Sequence, residues 1–298
     1  MRVITERLHA TPMRSLHLRW LGILLTGTAL FGAVLAVLLA TGDPIYVPCL
    51  LLLGAAVVPV TFSTLVTEIE PAHRLSGSRI LTGAVLGGVV GAVLAGQLEF
   101  ETAHALGSLP PVMIGLIEEA AKLVIPVLLF GWLRPHPRAV DGLVLGVAVG
   151  SGFAALETMG YAFVTLLGAD GHVQPVAQLL LFRAAGSLGG HAAWTGLACA
   201  AVFAIRGARP RWLGWVRFLC VFAGVVGLHA AWDRSSGGRG YLAVGVISFI
   251  LLMAIAWWLH AHQRGLRRDE PTPAPGVSPR ALPALVGQRS GAAAFRRR

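Results

Sequence analysis

The sequence predicts an all-α membrane protein with about eight transmembrane helices, and its composition and long apolar runs are the main reasons. Hydrophobic residues make up 55% of the 298 residues, charged residues make up 13%, and the mean hydropathy is +0.72. Soluble domains carry about 25% charged residues, so an ordinary water-soluble enzyme is excluded. The three cysteines all lie in apolar runs, which argues against a disulfide framework and offers no zinc-type CxxC spacing.

A membrane-spanning helix needs about 20 apolar residues, and these runs define the expected spans. The first run follows a basic segment, residues 1–17, and it lacks a clear cleavage site, which favours an uncleaved anchor. In order, the spans are expected near Leu18–Ala40, Ile45–Thr67, Ile80–Gln97, Pro110–Leu133, Val140–Leu167, Leu179–Ile205, Leu213–Asp233 and Tyr241–His260. They form a transmembrane domain over residues 18–262, and the Pro/Ala/Arg-rich residues 263–298 are expected to be a disordered cytoplasmic tail.

Two local patterns support individual spans. Asp141 stands at the start of the fifth span, where a carboxylate is expected to cap the helix. Glycines recur at a spacing of four in spans three and five, and small residues at this spacing let helices pack closely in lipid.

The positions of the basic residues predict the orientation of the bundle. With the N-terminus inside, 20 of the 24 Lys and Arg residues fall in the N-terminal segment, the inner loops or the tail. Positive charge accumulates on the cytoplasmic side of membrane proteins, so both termini are expected in the cytoplasm. The high net charge is then a signal of topology, and no nucleic-acid partner is needed to explain it.

Ionisable residues inside spans four to seven are the strongest functional signal. They are Glu118, Glu119 and Lys122 in span four, Glu157 in span five, His191 in span six, and His229 and Asp233 in span seven. A charge at mid-bilayer costs about 2.5–3.5 kcal/mol, so these groups are expected to face one another or a water-filled cavity. Arg183, near the outer end of span six, is expected to reach the interface by snorkelling.

The depths of these groups agree with one another. At about 1.5 Å per residue, Glu118 and Glu119 lie ~12 Å below the outer end of span four. Glu157 lies ~15 Å and His191 ~18 Å below the outer ends of their spans. His229 is shallower, about one turn from the outer end of span seven. Four helices are therefore expected to bring polar groups together in the outer half of the membrane.

These residue types suit peptide hydrolysis in two ways. A glutamate can act as general base on water, and histidines can stabilise the oxyanion as donors. Alternatively, Glu157, His191 and His229 form a His₂Glu set for Zn²⁺, with Glu118 or Glu119 as the base. Two other classes stay open, which are a proton-coupled transporter and a non-catalytic membrane scaffold.

The order and spacing of these residues resemble the PrsW family of intramembrane proteases, over residues 110–233. The matching motifs are EExxK at Glu118–Lys122, FxxxE at Phe153–Glu157 after a DG…G…G run from Asp141, a histidine at His191, and HxxxD at His229–Asp233. One departure is Thr158, where an Asn commonly follows. The resemblance implies an endopeptidase of the cell membrane that cuts a single-span membrane protein near its outer face, with anti-sigma factors as the best-known substrates.

Overall fold

The computed structural model describes residues 18–132 and 137–268, and nine α-helices account for most of them. They are α1 (Arg19–Thr41), α2 (Val47–Ile69), α3 (Gly77–Leu106), α4 (Pro111–Trp132), α5 (Ala139–Gly168), α6 (Val173–Gly186), α7 (His191–Ala204), α8 (Arg211–Asp233) and α9 (Gly238–Arg268). Short 3₁₀ turns at Pro44–Tyr46 and Ile205–Gly207 precede α2 and follow α7. The described residues contain no β-strand, which confirms the predicted fold class.

Seven helical segments of the described chain are long and apolar enough to cross a membrane. The fourth expected span, α4, is not among them because Glu118, Glu119 and Lys122 lie in its middle. With 22 residues, it is about 33 Å long, which suffices to span the ~30 Å hydrocarbon layer. The chain is therefore a multi-pass membrane protein.

The expected sixth span is a broken helix. Leu179–Ile205 was expected as one run, but the chain leaves α6 at Gly186 and begins α7 at His191. Gly189 and Gly190 fall in the break, and a Cβ atom on Gly189 would lie 2.1 Å from the backbone oxygen of Gly245. Non-helical backbone at membrane depth is tolerated only where protein or a cavity surrounds it, and residues 187–190 line cavities on both sides.

Of the described residues, those in 18–132 and 137–260 form one compact unit. Beyond it, α9 continues to Arg268, which is further than the expected start of the tail at residue 263. The N-terminal segment 1–17 and the rest of the tail lie outside the described residues.

Helix α5 lies at the centre of this unit, because its first four turns are almost entirely buried. It packs against α7, α3 and α2. On the α7 side a Cβ atom on a glycine would lie 2.2–2.5 Å from a backbone oxygen, and the pairs are Gly142 with Cys199, Gly146 with Thr195 and Gly150 with His191. The glycine spacing therefore holds α7 against α5 backbone to backbone.

The outer surface of the bundle is apolar, as a lipid-facing surface must be. Leu25 on α1, Leu81 on α3 and Trp257 on α9 are each more than 60% exposed. Lipid takes the place of water around these side chains, so their exposure agrees with the membrane assignment.

Asp141 fixes the end of α5 that joins α4. Its carboxylate accepts hydrogen bonds from the backbone N–H groups of Arg138 (2.7 Å) and Arg74 (2.6 Å). The first bond caps α5, as the sequence predicts, and the second ties the α2–α3 loop to the same end of the bundle.

We predict that Gly150→Ala separates α7 from α5, because the new methyl group would lie 2.2 Å from the backbone oxygen of His191. Overpacking of this kind costs about 1–3 kcal/mol. The thermal midpoint of the purified protein should fall by several degrees. Gly160→Ala on the same helix is the control, since nothing lies within 4 Å of its added Cβ. Equal midpoints for the two variants would contradict the role assigned to the glycines.

Candidate active site

Helix α4 presents two carboxylates and an ammonium on one face. The Nζ atom of Lys122 lies 3.0 Å from Oε2 of Glu118 and 2.7 Å from Oε1 of Glu119. Spacings of three and four residues bring side chains together on a helix, so this part of the site follows directly from the sequence. Glu119 and Lys122 are both 0% exposed, and Glu118 is 6% exposed.

His191 joins α7 to this cluster from the first position after the helix break. Its Nδ1 atom lies 2.7 Å from Nζ of Lys122, and its Nε2 atom lies 2.8 Å from Oε2 of Glu157. An ammonium has three N–H donors, and Lys122 uses them on Glu118, Glu119 and His191. The Nδ1 atom of His191 therefore accepts, and its Nε2–H donates to Glu157.

His229 approaches the same cluster from α8. Its Nδ1 atom lies 2.9 Å from Oε1 of Glu119, and its ring stacks on Trp194 with 4.6 Å between ring centroids. The Nε2 atom lies 3.6 Å from Oε2 of Glu118 and 3.6 Å from Oδ2 of Asp233. His229 thus connects the inner carboxylate to the two carboxylates at the cavity.

The two adjacent glutamates of α4 have different surroundings. Glu119 accepts hydrogen bonds from Lys122 and His229 on one oxygen, and from the hydroxyl of Thr195 (3.4 Å) on the other. Glu118 is hydrogen-bonded to Lys122 and lines the cavity. Glu119 is therefore enclosed by hydrogen bonds inside the bundle, whereas Glu118 lies in the wall of the cavity.

Arg183 corrects one prediction from the sequence. Rather than extending to the interface, its guanidinium pairs with Oε2 of Glu157 at 2.5 Å and donates to the hydroxyl of Thr158 at 2.9 Å. It also lies over the ring of Tyr161, 4.4 Å from the centroid. The sequence contained a signal for this, because Arg183 and Lys122 are the two cations that the predicted topology leaves unexplained.

All eight site residues predicted from the sequence lie in or against this cluster. Phe153 belongs to it because Nζ of Lys122 lies 4.1 Å from the centroid of its ring. Sequence reasoning missed Arg183, Trp194 and Thr195. The tetrapeptide HAAW occurs at 191–194 and again at 229–232, and this was a signal for Trp194. Trp194, from the first copy, stacks on His229, from the second copy.

The cluster forms one wall of a cavity of about 420 Å³. Polar groups at its surface come from α4, α5, α6, α7 and α8, and they are Glu118, Glu157, Arg183, His191 and Asp233. Aromatic side chains also line it, and they are Tyr161, Phe182, Trp194, Trp232 and Tyr241. A polar centre inside an apolar bundle thus opens to a space that is large enough for part of a peptide.

Four residues are placed to hold a metal ion, and they are Glu118, Glu119, His191 and His229. One ligand atom from each lies within 4.8 Å of the others, and all four residues are buried. Carboxylate oxygens and imidazole nitrogens are the donors that zinc binds in catalytic sites. Glu157, which the sequence suggested as a ligand, is outside this group and lies at the Nε2 side of His191.

The charges of the cluster also fit a divalent cation. Four carboxylates, of Glu118, Glu119, Glu157 and Asp233, meet two cations, Lys122 and Arg183. With neutral histidines the formal charge is −2, and unbalanced charge is expensive at this depth. By donor type, distance and charge, the residues fit a bound dication.

The fold and this centre define a multi-pass membrane protein with a glutamate–histidine site enclosed by its helices. The model of the PrsW family of intramembrane metalloproteases matches residues 18–259, so the chain belongs to this family. The match includes every residue of the cluster, and it confirms the resemblance found in the motifs. No curated protein and no solved structure matches the chain.

Proposed function

We propose that this protein hydrolyses a peptide bond of a single-span membrane protein in the cavity, with Glu118 as the general base. The observation that carries the proposal is the contrast between the two glutamates of α4. Glu119 accepts three hydrogen bonds inside the bundle, whereas Glu118 lines the cavity and is held by Lys122. A base must reach the water that it activates, and Glu118 meets this condition.

The neighbouring groups supply the other requirements of hydrolysis. Glu118 accepts a proton from water and returns it to the amine that leaves. Arg183 has five N–H donors, two of which bind Glu157 and Thr158. Because Arg183 also lines the cavity, its remaining donors can stabilise the oxyanion of the tetrahedral intermediate.

We further propose that a Zn²⁺ ion is held by Glu119, His191 and His229, beside Glu118. It would replace the Lys122 ammonium at Nδ1 of His191, because Nε2 of this ring is bonded to Glu157. This is a His₂Glu set with a separate glutamate as base, which is a known arrangement in catalytic zinc sites. A zinc ion bound there would polarise the peptide carbonyl and lower the pKa of water. Glu157, at Nε2 of His191, then acts as the partner that fixes the ring and its tautomer.

An apolar groove beside the cavity offers a route for the substrate. It has a volume of about 370 Å³, lies between α6 and α9, and includes Leu188, Leu242 and Phe249. The cavity and the groove share four lining residues, which are Phe182, Gly186, Trp232 and Tyr241. We propose that the substrate segment enters through this groove and unwinds at the cavity, as an anti-sigma factor or another single-span protein would.

The first prediction concerns the base. Glu118→Gln keeps the shape of the side chain but removes its basicity, so cleavage of a single-span substrate in proteoliposomes should fall by at least about 100-fold. Glu101→Gln is the control, because Glu101 is an exposed glutamate on α3 that binds Gln97. Mass spectrometry of the products locates the cut, which is expected in the outer half of the substrate span.

Wild-type turnover in folded Glu118→Gln protein would refute the assignment of the base. Transport of solute without cleavage would favour the transporter class instead. No cleavage by the wild-type protein with any single-span substrate would favour a scaffold.

The second prediction concerns the metal. Purified protein should contain about one equivalent of zinc, and His229→Ala should lose it because a ligand is missing. Glu118→Gln should retain the metal while losing activity, since Glu118 is assigned as base and not as ligand. Metal analysis of the three proteins decides this, and less than about a tenth of an equivalent in the wild-type protein would retire the zinc proposal.

The third prediction concerns the route. Leu242→Trp fills the groove between α6 and α9, so the KM for a membrane-embedded substrate should rise about fivefold or more, with little change in kcat. Ile250→Trp is the matched control, because Ile250 is also exposed on α9 but does not line the groove. Equal KM values for the two variants would exclude this entry route.

A further inference from the structure

A second groove lies on the other side of α5 from the active site. It has a volume of about 460 Å³, and its walls are α2 and α3. Both helices pack on α5, but among the described residues they make almost no direct contact with each other. The floor is the face of α5 that contains Ser151, Ala155 and Met159, whereas Ala154, Glu157 and Thr158 line the active-site cavity.

The groove is polar at one end and apolar along the rest of its length. Arg19 at the start of α1 and Glu68 near the end of α2 lie beside Gly77, the first residue of α3. Beyond this end the wall formed by α3 is aliphatic as far as Val89, and the α2 wall becomes aliphatic from Val60 to Leu52. From Gly77 to Val89 the helix rises about 18 Å, which is close to the ~15 Å hydrocarbon thickness of one leaflet.

The buried carboxylate of Glu68 lacks hydrogen-bond donors. Both of its carboxylate oxygens are buried, and no described residue donates to either of them. Nearby hydroxyls do not help, because Thr64 donates to the backbone oxygen of Val60 and Thr67 donates to that of Ser63. A buried carboxylate without a partner is costly, so a donor from outside the described chain would stabilise it.

A second unsatisfied polar atom lies deeper in the same groove. Ser151 on the floor is 3% exposed, and its hydroxyl oxygen has no hydrogen-bond partner among the described residues. A buried hydroxyl is normally bonded. An acceptor or donor on a molecule in the groove, such as a lipid ester, would satisfy this hydroxyl.

We propose that this groove binds one phospholipid with a primary ammonium headgroup, of the phosphatidylethanolamine class. The ammonium donates hydrogen bonds to the Glu68 carboxylate, the phosphate pairs with Arg19, and an acyl chain occupies the groove between α2 and α3. The mouth offers one positive and one negative side chain, which is the pair of charges that a zwitterionic headgroup needs. By the predicted orientation, the lipid belongs to the cytoplasmic leaflet.

The proposal separates ethanolamine from choline headgroups. Both are zwitterionic, but a quaternary ammonium has no N–H donor and cannot satisfy the oxygens of Glu68. An apolar transmembrane segment of a protein also has no side-chain donor for these oxygens. The groove therefore selects for a primary amine rather than for charge or apolar surface alone.

The test measures which lipid the intact protein retains. Purified full-length protein is equilibrated with mixed micelles that contain equal amounts of phosphatidylethanolamine and phosphatidylcholine with identical chains, and bound lipid is counted by native mass spectrometry. Wild-type protein should retain the ethanolamine lipid about tenfold over the choline lipid, which corresponds to about 1.4 kcal/mol. Glu68→Gln should reduce this ratio to near one, while Glu101→Gln should leave it unchanged.

Several results would overturn the proposal. Equal retention of the two lipids by wild-type protein would exclude headgroup recognition, and this arm does not depend on any variant folding. An unchanged preference in Glu68→Gln would place the selectivity elsewhere. Retention of a peptide or of detergent in place of lipid would exclude a lipid site. Glu68 does not line the active-site cavity. The lipid preference can therefore be absent while cleavage is present, and cleavage can be absent while the lipid preference is present.

Discussion

The ammonium of Lys122 has three N–H donors, and in the middle of a membrane each of them needs an acceptor. Two acceptors come from its own helix, through the glutamates three and four residues earlier. The third is Nδ1 of His191, the first residue of α7. This last bond requires α7 to begin at the depth of Lys122, and the break before His191 meets that requirement. The other contacts of the site follow from where this bond places the histidine.

The packing around α5 makes that placement possible. Helix α7 can approach closely because glycines of α5 face its backbone, and Gly150 faces His191 itself. The break also brings Arg183 and His191 together, although they belong to different helices. Both contact Oε2 of Glu157, at 2.5 and 2.8 Å. In one continuous helix the eight-residue separation would place their Cα atoms about 12 Å apart along the axis.

Much of this architecture follows from the sequence, because the membrane penalises every unpaired charge. The cost of Glu157, His191 and His229 in lipid was enough to predict that their helices converge. The pairing of Lys122 with the two glutamates follows from helix geometry alone. The break in span six did not follow, because hydropathy averages over a window and cannot detect four non-helical residues that are themselves apolar or small. Counting residues along continuous spans also could not tell which carboxylates would touch. For that reason Glu157 rather than Glu119 was expected beside both histidines.

The spacing of Lys122 has a consequence for how such a site can be built in a membrane. Helix α4 carries two acids, and each would add about 2.5–3.5 kcal/mol to the free energy of insertion if left alone. With the lysine on the same face, α4 enters the bilayer with its own counter-ion, before α7 and α8 pack against it. When the helices pack together, Glu157 and Asp233 join the cluster. Arg183 balances the charge of Glu157. With neutral histidines, the finished cluster has two negative charges in excess. In a protein that needed only structural ion pairs, further cations could balance this excess. A site for a divalent metal must instead keep the excess negative charge, because the metal ion balances it.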